Sequence, residues 1–258
     1  MFAIARRYLT YRGISSKGGS RVETKVAAPA RAVMIPPGAP GKPMVGARGR
    51  KGKIDPRSYL LTPESLATER AEVYRQLKAV IRLNPASPQV ILVTSARHGE
   101  GRTISALNLA IAFAQESDRI AYVEADFRRP GLANLFAVDE DRCLSRLLLQ
   151  GGVVGDMMQA SEVPGLYLLP AGRPPASPEL LASPQMRSVL EALRRGGDRI
   201  IIDCAPYLPY AEVSLLAAQL DGVVIVTREG ATREDELKLL HRRLTDARSR
   251  VLGAVFLR

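Results

Sequence analysis

A glycine loop and two acidic strand ends carry the chemistry that this sequence can do. Residues 98–103 read HGEGRT. They follow the β-branched and aliphatic run Val90 to Val93, which predicts a buried strand. They precede Ile104, Leu107, Leu109, Ile111 and Phe113, which share an apolar helix with Ala106, Ala110 and Ala112. Strand, glycine loop and helix form the context in which backbone N–H groups cradle phosphate. Gly99 and Gly101 let those groups turn toward an anion with no Cβ in the way. The helix that starts there adds free N–H groups and the positive end of its dipole. Glu100 lies between the glycines, and Thr103 places a hydroxyl where such loops hold Mg²⁺.

Arg102 stands where such a loop usually has lysine. A lysine ammonium is compact and curls over the β- and γ-phosphates. A guanidinium is wide and planar, and is expected to crowd that position. No lysine lies between Lys78 and Lys238 to replace it. The acidic groups fall at two further predicted strand ends. One is Glu124-Ala-Asp126, followed by Arg128 and Arg129; the other is Asp203-Cys204-Ala205-Pro206. Phosphoryl transfer needs donors around the phosphates, carboxylates for Mg²⁺ and a base that orients the nucleophile. Each type is present, in the right order along the chain.

The elements that must position these groups alternate. Strands are predicted at Arg119 to Glu124, Leu166 to Leu169, Arg199 to Asp203, Gly222 to Thr227 and Val251 to Phe256. Helices are predicted at Leu144 to Leu149, Pro178 to Arg195 with a break near Pro184, Ala211 to Gln219, and Arg233 to Ala247. A further helix is predicted within residues 63–83, with Pro63 in its first turn. Near-continuous apolar strands alternating with helices indicate an α/β fold, a parallel sheet with helices on both faces. Ligands in such folds sit at the carboxyl ends of the strands.

The net charge of +11 is confined to one end. Residues 1–57 hold 13 Lys and Arg against 2 Asp and Glu; residues 58–258 hold 24 of each sign. A basic tail over 1–57, disordered over most of its length, is expected ahead of a folded domain at 58–258. The folded part balances to zero, which argues against nucleic acid as its partner. Residues 1–14 could form a short basic amphipathic helix, so membrane contact is expected to be weak and to run through this tail. Two widely spaced cysteines fit a reducing compartment. No stretch reaches the ~20 apolar residues needed to span a bilayer, and residues 1–7 lack a signal-peptide core. A cytoplasmic chain is expected, peripheral to the inner face of the membrane only if something else takes it there.

The motifs together resemble the bacterial tyrosine kinases (BY-kinases) of exopolysaccharide and capsule synthesis, the CpsD/CapB type, within the MinD/ParA-like P-loop ATPases. The resemblance runs from about Pro63 to Arg258. Residues 93–103, VTSARHGEGRT, resemble the family's Walker A. Residues 123–128, VEADFR, resemble its second Walker motif, and residues 200–206, IIIDCAP, its Walker B. Residues 165–172, GLYLLPAG, with Pro174, Pro175 and Pro178 to Leu181, match its most recognisable non-catalytic segment. Residues 221–226, DGVVIV, match the strand after Walker B.

The resemblance implies ATP or ADP with Mg²⁺. It implies phosphate binding by Gly99, Glu100, Gly101, Arg102, Thr103 and Arg128, metal binding by Thr103, Asp126 and Asp203, and catalysis by Glu124, Asp126 and Asp203. Glu72, Arg75 and Lys78 match a helix that carries subunit contacts in ring-shaped oligomers, so a homo-oligomer is implied. The implied partner is a membrane-bound polysaccharide chain-length regulator (co-polymerase) or export component.

Four departures stand in one site: Arg102 for Lys, Glu124 for the Asp that activates the attacking tyrosine, Leu257 for the Asn at the nucleotide base, and no tyrosine-rich segment after Arg258. They imply a family member that acts in regulating polysaccharide synthesis or export, with its ATP-dependent kinase chemistry weakened or lost. Two alternatives stay open. One is an active tyrosine kinase that phosphorylates a partner or its own Tyr8 and Tyr11. The other is a MinD/ParA-like positioning ATPase; Arg97 gives it a little support, and Gly172 to Leu181 speaks against it.

Overall fold

The computed structural model describes residues 32–35, 56–62, 65, 68–116, 119–173 and 178–257. The expectations for residues 1–31 and 36–55, for Pro63 and for Pro174 and Pro175 lie outside the described residues.

Among the described residues, eight strands form one sheet. In chain order they are β1 (Ala32–Ile35), β2 (Val90–Ser95), β3 (Ile120–Glu124), β4 (Gln159–Ala160), β5 (Leu166–Leu169), β6 (Arg199–Asp203), β7 (Gly222–Arg228) and β8 (Val251–Leu257). Their order across the sheet is β1-β8-β7-β2-β6-β3-β5-β4. Every pair is parallel except β4 with β5. The helices are α1 (Glu69–Arg82), α2 (Arg102–Ala114), α3 (Leu144–Gln150), α4 (Val154–Met157), α5 (Pro184–Gly196), α6 (Ala211–Ala217) and α7 (Glu234–Asp246).

Side chains alternate across the strands, so one sheet feeds two cores. Ile91, Val93, Ile120, Tyr122 and Ile201 pack beneath α1 and α2. Val90, Leu92, Ala121, Val123, Ile200 and Ile202 pack on the other face, against α3, α5, α6 and α7. Both faces are covered, which explains why the central strands read as unbroken apolar runs. Register then brings three carboxyl ends level. Val93 lies beside Asp203, and Glu124 lies beside Asp203 on the opposite flank.

Helix starts follow local chemistry. Thr68 caps α1 by accepting from the Ala71 N–H, and Ser183 caps α5 with Pro184 in its first turn. The break expected near Pro184 is real, because a short 3-10 turn, Pro178–Ala182, precedes α5. Three features differ from the sequence expectations. Helix α1 begins at Glu69, six residues later than a start at Pro63, because Thr68 supplies the cap. The elements α4 and β4 were not expected; they are too short for periodicity to register, and β4 exists through its pairing with β5. Within the tail expected to be disordered, the run Ala-Val-Met-Ile forms β1 on the free edge of β8. An open edge offers unpaired N–H and C=O groups, and a short apolar run is enough to take them. No helix among the described residues is long and apolar enough to cross a membrane.

Candidate functional site

The loop from Ala96 to Gly101 joins β2 to α2 at the carboxyl edge of the sheet. Gly99 and Gly101 both adopt left-handed φ values, +82° and +80°. A Cβ on Gly101 would lie 2.3 Å from Cδ1 of Leu257, the last residue of β8. Leu257 therefore sits against the loop at the place where the family resemblance puts Asn.

Glu100 is buried, and its carboxylate is used to hold the loop. It accepts from the Arg97 N–H at 2.9 Å and from the Thr232 hydroxyl. Arg97 reaches across to Glu236 in the first turn of α7. The contacts to Thr232 and Glu236 tie the loop to the β7–α7 connection and to the start of α7. Thr103 is half-buried in the first turn of α2.

Arg102 does not extend over the loop. Its side chain is 8% exposed and turns down between the two acidic strand ends. Nε donates to Oδ1 of Asp203 at 2.9 Å, and Nη2 donates to Oδ2 of Asp126 at 2.6 Å. Burial works against the charge on Arg102, but Asp203 and Asp126 outweigh it and raise its pKa further. The remaining oxygens are also engaged. Tyr122 donates its hydroxyl to Oδ2 of Asp203 at 3.0 Å. The Arg128 and Arg129 N–H groups both donate to Oδ1 of Asp126 at 3.1 Å. Burial, then the Asp203 charge, pushes the Tyr122 phenol well above its usual range, so it stays a neutral donor.

Glu124 is tied into the backbone. Oε1 accepts from the N–H groups of Gly131 (2.6 Å) and Leu132 (2.8 Å), and Oε2 accepts from Ala171 (3.1 Å). It joins the loop after β3 to the segment after β5. Burial raises the Glu124 carboxyl against the pull of these three donors, and the Asp203 charge adds to the rise. A raised carboxyl favours folding below its unfolded value, and that contribution is lost as pH rises through its folded value. Glu124→Gln removes the titration. The difference in Tm, wild type minus variant, should shrink as pH climbs above the ordinary glutamate value of 4.5. Thermal melts across acid to neutral pH check this; a difference that grows toward neutrality would refute it.

Other residues expected at the site lie beside it. The Arg128 side chain donates from Nε (3.0 Å) and Nη2 (2.7 Å) to Oε1 of Glu212 and stacks 4.1 Å over the Tyr210 ring. Tyr210 in turn meets Nε2 of His98 at 3.0 Å. On α1, Glu72 and Arg75 form an exposed pair at 2.7 Å. Lys78 does not share their surface. Its side chain is 7% exposed and binds Glu116 at 2.5 Å and the Ala112 carbonyl at 3.0 Å, fastening α1 to the end of α2. Three-residue spacing drifts around a helix, and here it carries Lys78 to the packed side.

The structure thus gathers Gly99, Gly101, Arg102, Thr103, Asp126 and Asp203. It assigns Glu100, Glu124 and Arg128 to internal contacts. Tyr122, Glu212 and Thr232 were missed by sequence reasoning. Tyr122 had a signal: a tyrosine inside an aliphatic parallel strand must find a partner for its hydroxyl. Mg²⁺ does not fit this donor set as arranged, since all four oxygens of Asp126 and Asp203 have partners within the chain and a guanidinium lies between them.

Residues 88–250 match the family described as the AAA domain. The tyrosine-protein kinase YwqD of Bacillus subtilis (strain 168) is 31% identical over 196 residues, 75% of this chain and 81% of that protein. The chain belongs to the bacterial tyrosine-kinase family. A second member, the tyrosine-protein kinase CpsD of Streptococcus agalactiae, is 26% identical over 191 residues, 73% of this chain and 83% of its own length. Among solved structures of this family, the chimerical protein CapA2B2 superposes with a TM-score of 0.74 at 28% identity, over 78% of this chain and 90% of that one. The fold is the MinD/ParA-like P-loop type, as the family resemblance implied; the alternation of strands and helices had indicated the parallel sheet with helices on both faces.

Proposed function

We propose that this chain works in the regulation of exopolysaccharide or capsule synthesis or export, as a family member whose ATP-dependent tyrosine-kinase chemistry is weakened or lost. The observation that carries this is the engagement of Asp126 and Asp203. These are the carboxylates the family resemblance gives to Mg²⁺, and Arg102 bridges them. Glu124, which would orient the acceptor tyrosine, spends both oxygens on backbone N–H groups. The glycine loop keeps its left-handed turns, so the shape of a phosphate cradle is retained while the charges behind it are satisfied internally.

The role left to such a domain is that of a partner. We place it at the inner face of the membrane, held by a membrane-bound polysaccharide co-polymerase or export component. Self-association runs through the exposed Glu72 and Arg75 of α1, without Lys78. The basic segment over 1–57 contributes a screened, salt-sensitive contact, and nucleic acid is not a partner.

Calorimetry with ATP and ADP, with and without Mg²⁺, beside a phosphotyrosine assay on the purified chain, tests the catalytic half. No phosphotyrosine and no Mg²⁺-dependent binding are expected. Autophosphorylation, or low-micromolar ATP·Mg binding, would restore the active kinase. Co-purification from membranes with a co-polymerase, and loss of self-association in a folded Glu72→Ala, Arg75→Ala variant, check the other half.

A further inference from the structure

We propose that Arg102 is a resident cation that takes the place of the divalent ion, so that the fold is held in one state irrespective of Mg²⁺ or nucleotide. This deepens the function proposed above and rests on it. Asp126 and Asp203 are each 1% exposed. Two carboxylates this deeply buried and sharing one cation cannot both stay charged at low cost without a counter-charge and hydrogen bonds on every oxygen. The guanidinium supplies the counter-charge. Its planar fork offers Nε to Asp203 and Nη2 to Asp126, two directions fixed by one rigid group. A lysine ammonium is a point charge on a flexible stem and lacks that fork.

Closure of the remaining valences makes the arrangement self-sufficient. The Tyr122 hydroxyl takes the last oxygen of Asp203, and the Arg128 and Arg129 N–H groups take that of Asp126. Nothing in the set is exchangeable with solvent ions unless Arg102 first leaves. The loop above is fastened separately, through Glu100 to Thr232 and Arg97 to Glu236. Loop and carboxylates, the two parts that nucleotide and Mg²⁺ would couple, are thereby both fixed by the chain itself. Contacts made by this domain with a partner are then independent of nucleotide, because a ligand with no differential affinity for two states shifts nothing.

Thermal melts of the full chain and of Arg102→Lys, in EDTA, in millimolar Mg²⁺ and in Mg²⁺ with ADP, test this. The wild-type Tm should stay within about 1 °C across the three conditions. Arg102→Lys should melt lower in EDTA and recover by about 5 °C or more in Mg²⁺, since binding to the folded state alone raises Tm. Titration of Mn²⁺ into the wild-type chain, followed by the loss of its free-ion paramagnetic signal, gives a second readout that needs no variant; no uptake is expected. Wild-type Mn²⁺ uptake, a wild-type melt raised by Mg²⁺, or a folded Arg102→Lys indifferent to Mg²⁺ would each overturn the inference. A phosphotyrosine assay on the same wild-type sample separates the two claims. Phosphotyrosine formation sinks the proposed function, whereas an inactive protein with a Mg²⁺-responsive melt sinks the inference alone.

Discussion

Arg102→Met should destabilise the fold by about 3–5 kcal/mol, the range for breaking a buried ion pair from one side. Methionine keeps most of the volume of the stem, so the loss is electrostatic rather than a cavity. It leaves Asp126 and Asp203, both fully buried, with no side-chain cation between them. In a domain of this size that is a fall in Tm on the order of 10 °C. Urea denaturation of the two proteins, analysed at equal m-values, measures it. The sharper check is additivity. Removing the negative charges as well, with Asp126→Asn and Asp203→Asn added to Arg102→Met, should return much of the loss, because neutral amides need no counter-charge. If Arg102→Met costs less than about 1 kcal/mol, or the triple variant is worse than the single one, the network does not hold the site.

Gly172→Ala should be nearly as costly, about 2–5 kcal/mol, adding backbone strain to overpacking. Gly172 has a φ of +74°, which alanine adopts poorly. Its new Cβ would also lie 2.3 Å from Sγ and 2.6 Å from Cβ of Cys143, and 2.7 Å from Oγ of Ser145. None of these is the far end of a long side chain, so relief requires movement of the backbone. The consequences reach the site. The Leu144 and Ser145 N–H groups start α3 by donating to the Pro170 and Ala171 carbonyls, and Ala171 donates to Glu124. Pairing Gly172→Ala with Cys143→Gly should recover the part of the loss due to Cys143, and leave the Ser145 contact and the φ strain, the latter about 1–2 kcal/mol. A Gly172→Ala protein with wild-type stability would mean that the segment after β5 tolerates a shift that its neighbours do not allow here.

Most of the fold was legible because parallel strands buried on both faces advertise themselves. RIIID at 199–203 and VILV at 90–93 allow no other use of so many β-branched residues. The glycine loop was legible for a related reason: glycine takes the left-handed turns that Gly99 and Gly101 make without the steric cost other residues meet. Elements set by a neighbour were not legible. β1 depends on the open edge of β8, β4 on the edge of β5, and neither sequence carries a period long enough to read.

The types of group at the site were fixed by the sequence alone: an arginine for a lysine, a glutamate for an aspartate, a leucine at 257, and the carboxylates at the ends of two strands. Where those groups point was decided by the tertiary structure. Arg102 was expected to crowd the phosphate position. It turns the other way because β-sheet register places Asp203 beside Glu124 and within reach of α2, and two buried carboxylates attract a guanidinium more strongly than an open loop does. The extra methylene of Glu124 reads in sequence as a small change of reach. In the fold it carries the carboxylate to three backbone donors from two segments, Gly131 and Leu132 in the loop just after β3 and Ala171 in the distant segment after β5. Sequence spacing cannot express such choices, since each one is settled by the donors that packing brings within hydrogen-bond reach.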